Sequence, residues 1–384
     1  MFLNIKNLAP FLLASSLIFA PFTQFRFFFL GFSEILFIFT FFLLFNKIIP
    51  FFDSHKFKLL NISAFIIFLI VGSLINLVSG ISFVNAYDAF GWVYVIVFMV
   101  AVGIASSRFQ DGFIFVTKGI CYIPYFLFAT LVLSYWGIFD VWFADESGNY
   151  LPFVSRFIGP SLNPNQLGFY LCALPYIVYF SYKEGFIKKL NCFLALSIAI
   201  LIGMLVRSNT VFVAWIFGLL SYGSLLLFKN SIKKPITSIL LLFFLFTIFS
   251  VNIDLVVSQF SKGDDAGGRY PIWSTFPEIF SKSPFFGFGP GSHAGIGSPF
   301  QGWELHSLPL DIISQGGFLS FLIFLIMFSY SCFLGVRSRQ PLVIIIALCA
   351  FVEMLTHNTQ RHPIFWIYIF FPFFYYLYIK RINI

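Results

Sequence analysis

Long apolar runs separated by short polar breaks set the rhythm of this chain almost from end to end. A membrane-crossing helix needs about 20 mostly apolar residues, and the pattern predicts such spans at residues 8–23, 27–45, 59–79, 89–107, 113–136, 164–182, 189–206, 210–228, 235–253, 308–334, 341–355 and 364–380. One long stretch breaks the rhythm, residues 254–307, and a smaller break covers 138–163. The expected fold is an all-α polytopic membrane protein, a single integral domain over residues 1–384 with about 12 transmembrane helices and one large loop. The N-terminal run has the layout of a signal peptide, with Lys6 as its basic region. The next span begins almost at once, which favours a retained first helix. No internal repeat is evident, which counts against transporters built from two similar halves.

Composition sharpens the picture. The 384 residues are 59% hydrophobic and only 10% charged, where a soluble domain has roughly 25% charged residues. The sixty phenylalanines partition into lipid much as leucine does and carry no separate signal. In a soluble protein the net charge of +8 would suggest a nucleic-acid partner; here its distribution reports topology. Under the positive-inside rule, Lys6, Lys47, Lys56, Lys58, Arg108, Lys183, Lys188, Lys189, Lys229, Lys233, Lys234, Arg337, Arg339, Lys380 and Arg381 share one face, while Arg26, Arg156, Arg207, Lys262, Arg269, Lys282 and Arg361 fall on the poorer one. Both termini are then cytoplasmic and the long loop faces outward. All five cysteines lie in apolar stretches, so no loop cysteine is left for a disulfide or thiolate site. No His, Asp or Glu cluster has ligand spacing, and neither a metal nor a cofactor is expected.

Cations on the outer face work against the topology signal, which makes them candidates for chemistry. Arg156, Arg207 and Arg269 each sit beside the outer end of a predicted helix. In SRFIGPSLNPNQLGFY, Asn163 can cap a helix that starts at Pro164, with Asn165 in its first turn. Ser208 or Asn209 can cap the next such helix, and Ser307, followed by Pro309, a third. Helix N-termini and arginines together make an anion site, with phosphate the usual occupant. His306, at the junction of loop and membrane, suits a general base toward a sugar hydroxyl and equally an interfacial polar residue. Arg269 fits an anion clamp or a partner for Asp264 or Asp265. The PIWSTFPEIF segment after it carries an apolar face suited to lying on the bilayer, shortened or kinked by Pro277. Gly287, Gly289 and Gly291 read as tight turns, because the strand-to-helix setting and downstream Lys of a nucleotide loop are missing. His293 reads as loop. His357, Arg361 and His362 share the outer face. Glu353, one turn before His357, is a functional candidate that pairing with His357 or Arg361 would explain as well.

Taken together, these pieces resemble the O-antigen polymerase and O-antigen ligase superfamily of bacterial inner-membrane glycosyltransferases. The resemblance rests on RFIGPSLNPNQLG, the Ser208 region, GGRYPIW, KSPFFGFGPG and LHSLPLDIISQGGFLS, over roughly residues 150–330. Two departures stand out: the family's His-Asn is His306-Ser307 here, and its Ser-Arg is Ser208-Asn209, with the arginine displaced to Arg207. The resemblance implies a metal-independent inverting transferase with GT-C-like architecture and a periplasmic loop. Its donor would be a glycan on undecaprenyl diphosphate. Arg269 and Arg207 would clamp the diphosphate, Arg156 would assist, and His306 would act as base. Asn163, Asn165, His357, Arg361 and Glu353 are accessory candidates. The expected partners are undecaprenyl-diphosphate-linked oligosaccharides and membrane lipids, with a chain-length regulator as an optional addition and no nucleic acid. Polymerase and ligase use the same residues; a transporter of lipid-linked sugars is the rival from another class.

Overall fold

The computed structural model describes residues 7–23, 26–27, 30–53, 66–67, 69–74, 78, 86–138, 143–144, 156–161, 163–227, 269–291, 293 and 302–382. Their apolar runs form helices α1 (Leu8–Phe19), α2 (Phe32–Asp53), α3 (Ala86–Arg108), α4 (Gly112–Tyr135), α5 (Pro164–Leu171), α6 (Leu174–Lys183), α7 (Lys189–Val206) and α8 (Asn209–Leu227). The large loop contributes α9 (Arg269–Trp273) and α10 (Phe276–Lys282), and the chain ends in α11 (Leu308–Arg337), α12 (Pro341–Met354), α13 (Pro363–Ile369) and α14 (Phe371–Ile382). Five of these, α2, α3, α4, α7 and α11, are long and apolar enough to cross a membrane, and α13 with α14 counts as a sixth if that pair, bent by 67°, is one span. This is an all-α membrane protein. The expected spans at 59–79 and 235–253 lie mostly or wholly outside the described residues, as do residues 254–268 of the large loop and much of 138–163.

Besides the bend between α13 and α14 in the expected span 364–380, three features depart from the hydropathy pattern, each for a local reason. The second span starts later than expected: Arg26–Phe27 (β1) and Leu30–Gly31 (β2) pair as a short antiparallel ladder, and α2 begins at Phe32 with Glu34 in its first turn, where a carboxylate suits the helix dipole. The span at 164–182 is two helices. Pro175 has no N–H for the carbonyl of Leu171, one turn earlier, and the indole of Trp215 donates to that carbonyl instead at 2.9 Å. The neighbouring carbonyl of Tyr170 accepts from the hydroxyl of Tyr368 at 2.9 Å, which ties the break to α13. The third departure is inside α11, where Gly317 has φ 71° and ψ 179° and interrupts the helix.

The interruption in α11 is filled by the loop. In a continuous helix Phe318 N–H would bond to the carbonyl of Ser314. Instead it donates to Pro284 O at 2.8 Å, while Ser314 O accepts from Phe288 N–H at 2.8 Å and Gln315 O from Gly289 N–H at 2.7 Å. Backbone this close leaves no room for side chains. A Cβ on Gly287 would stand 2.5 Å from the carbonyl carbon of Gln315, and one on Gly317 would overlap Phe285 O. Gly287 and Gly289 both have positive φ, as tight turns require. A second short ladder, Phe143–Ala144 (β3) with Arg156–Phe157 (β4), leads to the Asn163 cap of α5.

Replacing Gly317 by Ala should cost at least about 1–3 kcal/mol from the left-handed backbone alone, with the overlap at Phe285 added. Gly185 also has positive φ but opens onto empty space, so Gly185→Ala should cost only the backbone strain of about 1–2 kcal/mol. Thermal melts of the two variants in detergent should rank Gly317→Ala well below Gly185→Ala; equal melting temperatures would contradict the stitched-loop account.

Candidate active site

The site is built on the segment between α12 and α13. His357 is buried there, its Nε2 lying 3.1 Å from a terminal guanidinium nitrogen of Arg269. A guanidinium offers only donors, so Nε2 accepts and the ring proton sits on Nδ1. That proton points to the hydroxyl of Thr356 at 3.1 Å, which meets the hydroxyl of Thr210 at 3.1 Å. The Glu353 carboxyl approaches the same nitrogen at 3.2 Å, off the hydrogen-bond line, and its two oxygens have no aligned partner among the described residues. Burial pushes the His357 pKa down to about 3, and the nearby Arg269, His306 and Arg156 act in the same direction.

The first turns of α8 and α11 gather here, together with the second turn of α5. Leu308 N–H, the first of α11, donates to the carbonyl of His357 at 3.1 Å. In the first turn of α8, Thr210 joins the hydroxyl chain, and in α5 a Cβ on Gly168 would stand 3.1 Å from a carboxylate oxygen of Glu353. Phe169 packs edge-on against His357, ring centroids 5.7 Å apart. Asn163 caps α5 with its side-chain oxygen, 2.9 Å from Asn165 N–H and 3.4 Å from Gln166 N–H, so it serves the helix start rather than a ligand. Asn165 is half-buried in the first turn. Ser307 occupies the cap position of α11, but its side chain makes no capping bond; Asp311 reaches back instead and accepts from Leu305 N–H at 3.1 Å.

The loop brings Arg269 and His306 together. One turn beyond Arg269, the indole of Trp273 donates to Leu305 O at 2.7 Å. Ile272 and Ile279 are buried with Phe288 and Leu305 in a small core. The apolar face of PIWSTFPEIF therefore packs, through these two isoleucines, on its own loop, where the hydrophobic pattern alone suggested the bilayer. His306 is half-buried and has no side-chain hydrogen bond among the described residues. Burial lowers its pKa below the usual histidine value, opposed by Glu304 and helped by Arg269, so at neutral pH the ring is free of its second proton.

The remaining arginines divide. Arg156 Nε donates to Val206 O at 3.2 Å, and its charge reaches His357. Arg207 follows Val206 directly, caps α7 in a left-handed conformation (φ 53°) and is exposed. The structure thus brings Arg156, Arg269, His306 and His357 into one electrostatic neighbourhood and sets Arg207 at its Arg156 edge. Arg361 belongs to a separate network. It pairs with Asp88 and, at 2.8 Å, with Glu304, so Glu353 is left to His357. Gln360 donates to Asp88 at 3.0 Å and accepts from Gln315 at 2.9 Å, while the indole of Trp92 donates to Gln315 at 2.7 Å. His293, expected as plain loop, is buried with Nε2 2.7 Å from Gly289 O. Sequence reasoning missed Asp88, Asp311, Glu304 and Thr356. For Asp88 and Asp311 the available signal was a carboxylate in the first turn of an apolar helix.

These features define a helical membrane protein with a buried His–Glu pair against a half-buried arginine, and a second neutral histidine beside it. Residues 192–325 match the family model described as O-antigen ligase. The match supports the O-antigen ligase and polymerase superfamily and a glycosyltransferase-like activity. It takes in Arg207, Arg269, His306 and Asp311; Arg156, Glu353 and His357 lie outside it. A search of curated proteins finds no match.

His357 stays neutral in the fold but titrates near 6.5 when unfolded. Between about pH 6.5 and 3 the unfolded chain holds the extra proton, so stability is lost as pH falls through that window. His357→Gln should flatten the acid side of the stability profile by up to about 1.4 kcal/mol per pH unit. Unfolding midpoints measured from pH 7 to 4 check this; parallel profiles for the two proteins would contradict a neutral His357.

Proposed function

We propose that the protein is a polymerase of O-antigen or a related surface polysaccharide, joining repeat units carried on undecaprenyl diphosphate. A hydroxyl of the acceptor glycan attacks the anomeric carbon of the donor, the bond from that carbon to the phosphate oxygen breaks, and undecaprenyl diphosphate leaves. Inversion follows from a single displacement. His306 takes the hydroxyl proton, and Arg269 stabilises the charge that develops on the diphosphate, with Arg156 and Arg207 lending further positive charge. No step calls on a metal. Arg269 keeps its proton at all working pH values, and a neutral His357 braces it without competing for the anion.

The observation that carries this reading is the neutral His306 held beside Arg269 within the stretch that matches the family. The topology proposed with it has twelve spans in a bacterial inner membrane, cytoplasmic termini and a periplasmic site under the large loop, which acts as a lid. The buried carboxylates Asp88, Asp311 and Glu353 all sit in the first or last turn of their helices, which suits surface chemistry better than transport through the bilayer midplane. Ligation of finished glycan to lipid A core uses the same residues, and the description of the matched family favours it; the Asn-Pro-Asn segment favours polymerase. A deletion strain separates them. Single-repeat lipopolysaccharide marks a polymerase, and bare core with polymer left on undecaprenyl diphosphate marks a ligase.

With lipid-linked oligosaccharide extracted from the source bacterium, His306→Ala should lower turnover by about 10²–10⁴-fold and Arg269→Ala by about 10²–10³-fold. The acid limb of kcat/KM should have its midpoint below about pH 6.5, because the base must be unprotonated and its pKa is depressed. Full activity in both variants at normal protein levels would sink the assignment.

A further inference from the structure

His306 has φ 51°, a left-handed conformation that a side chain other than glycine rarely adopts. It persists where neighbours over-determine it, and here they grip both flanking residues. Leu305 is held at both backbone ends, its carbonyl by the Trp273 indole and its N–H by Asp311 Oδ1 at 3.1 Å. Glu304 is held by Arg361. The Asp311 carboxyl also faces the amide of Ser307, on the other side of His306. Asp311 is itself 1% exposed, and it supplies the acceptor that the Ser307 hydroxyl does not.

We infer that Asp311 is a positioning residue for His306: by accepting Leu305 N–H from one turn inside α11, it fixes the turn that aims the imidazole at the acceptor hydroxyl. The inference rests on the reading of His306 as base. Asp311 touches no substrate. Its carboxyl oxygen accepts from Leu305 N–H, and it is fixed to a helix whose register the loop already locks. A displacement of the base by about 1 Å costs on the order of 100-fold in rate. A residue that merely capped α11 would lower stability without separating turnover from substrate binding.

The test uses the full-length protein in detergent with the same extracted lipid-linked oligosaccharide. Asp311→Asn keeps the accepting oxygen and should retain turnover within about threefold, whereas the similarly sized Asp311→Leu should lose on the order of 100-fold in kcat with little change in KM. A folded Asp311→Leu with wild-type kcat, or Asp311→Asn as impaired as Asp311→Leu, would overturn the inference. Should Asp311→Leu fail to fold, Asp311→Glu replaces it: the added methylene shifts the turn while the accepting carboxyl is kept, and wild-type kcat would then be the overturning result. Diethyl pyrocarbonate labelling of His306, followed by mass spectrometry across pH, reads the same geometry without turnover. Its midpoint should rise toward about 6.5 in Asp311→Leu and stay in place in Asp311→Asn; an unmoved midpoint in Asp311→Leu overturns the inference. Active wild type with silent His306→Ala and unimpaired Asp311→Leu removes the positioning role alone, whereas fully active His306→Ala removes the functional reading.

Discussion

A guanidinium cannot accept a hydrogen bond, and Arg269 imposes that constraint on everything around it. His357 must present a lone pair to it, so the imidazole is neutral and its proton faces Thr356 and Glu353. Burial reinforces the same state. A protonated ring would set two cations against each other in a place with little water, so the cluster has one stable proton arrangement. The starts of α8 and α11 and the second turn of α5 pack around that arrangement, which places two partially positive helix ends at one locus.

Around this centre a second set of polar contacts does mechanical work. Asp88, Gln360, Gln315 and Trp92 link the start of α3, the α12–α13 connection and the stretch of α11 just before its break at Gly317 through buried bonds. Arg361 extends the chain to Glu304, two residues before His306. Each buried polar group is costly unless paired, and the pairing joins elements that are distant in sequence. The same contacts therefore hold the bundle and orient the loop.

Much of this was legible from the residues. Spans with even hydropathy, such as α4 and α7, fell where the apolar runs did, and Arg269 and His306 stood out because cations and histidines are scarce in so apolar a chain. The paired glycines at 287 and 289 also read correctly as turns. What failed were features set by partners far away in sequence. His357 meets Arg269 across 88 positions, and nothing local distinguishes it from an interfacial histidine. Asp311 looks like an ordinary first-turn carboxylate until the chain folds back to Leu305. The burial of the segment after Arg269 was hidden for the same reason: Ile272 and Ile279 find Phe288 and Leu305, residues that a one-dimensional pattern cannot bring to them.

The exchange of hydrogen bonds at Gly317 has a mechanical meaning as well. Where the loop takes over a turn of α11, the helix is keyed like a shaft: rotation about its axis or slippage along it would break three backbone bonds together. α11 thus provides a fixed datum for His306 at its N-terminal end.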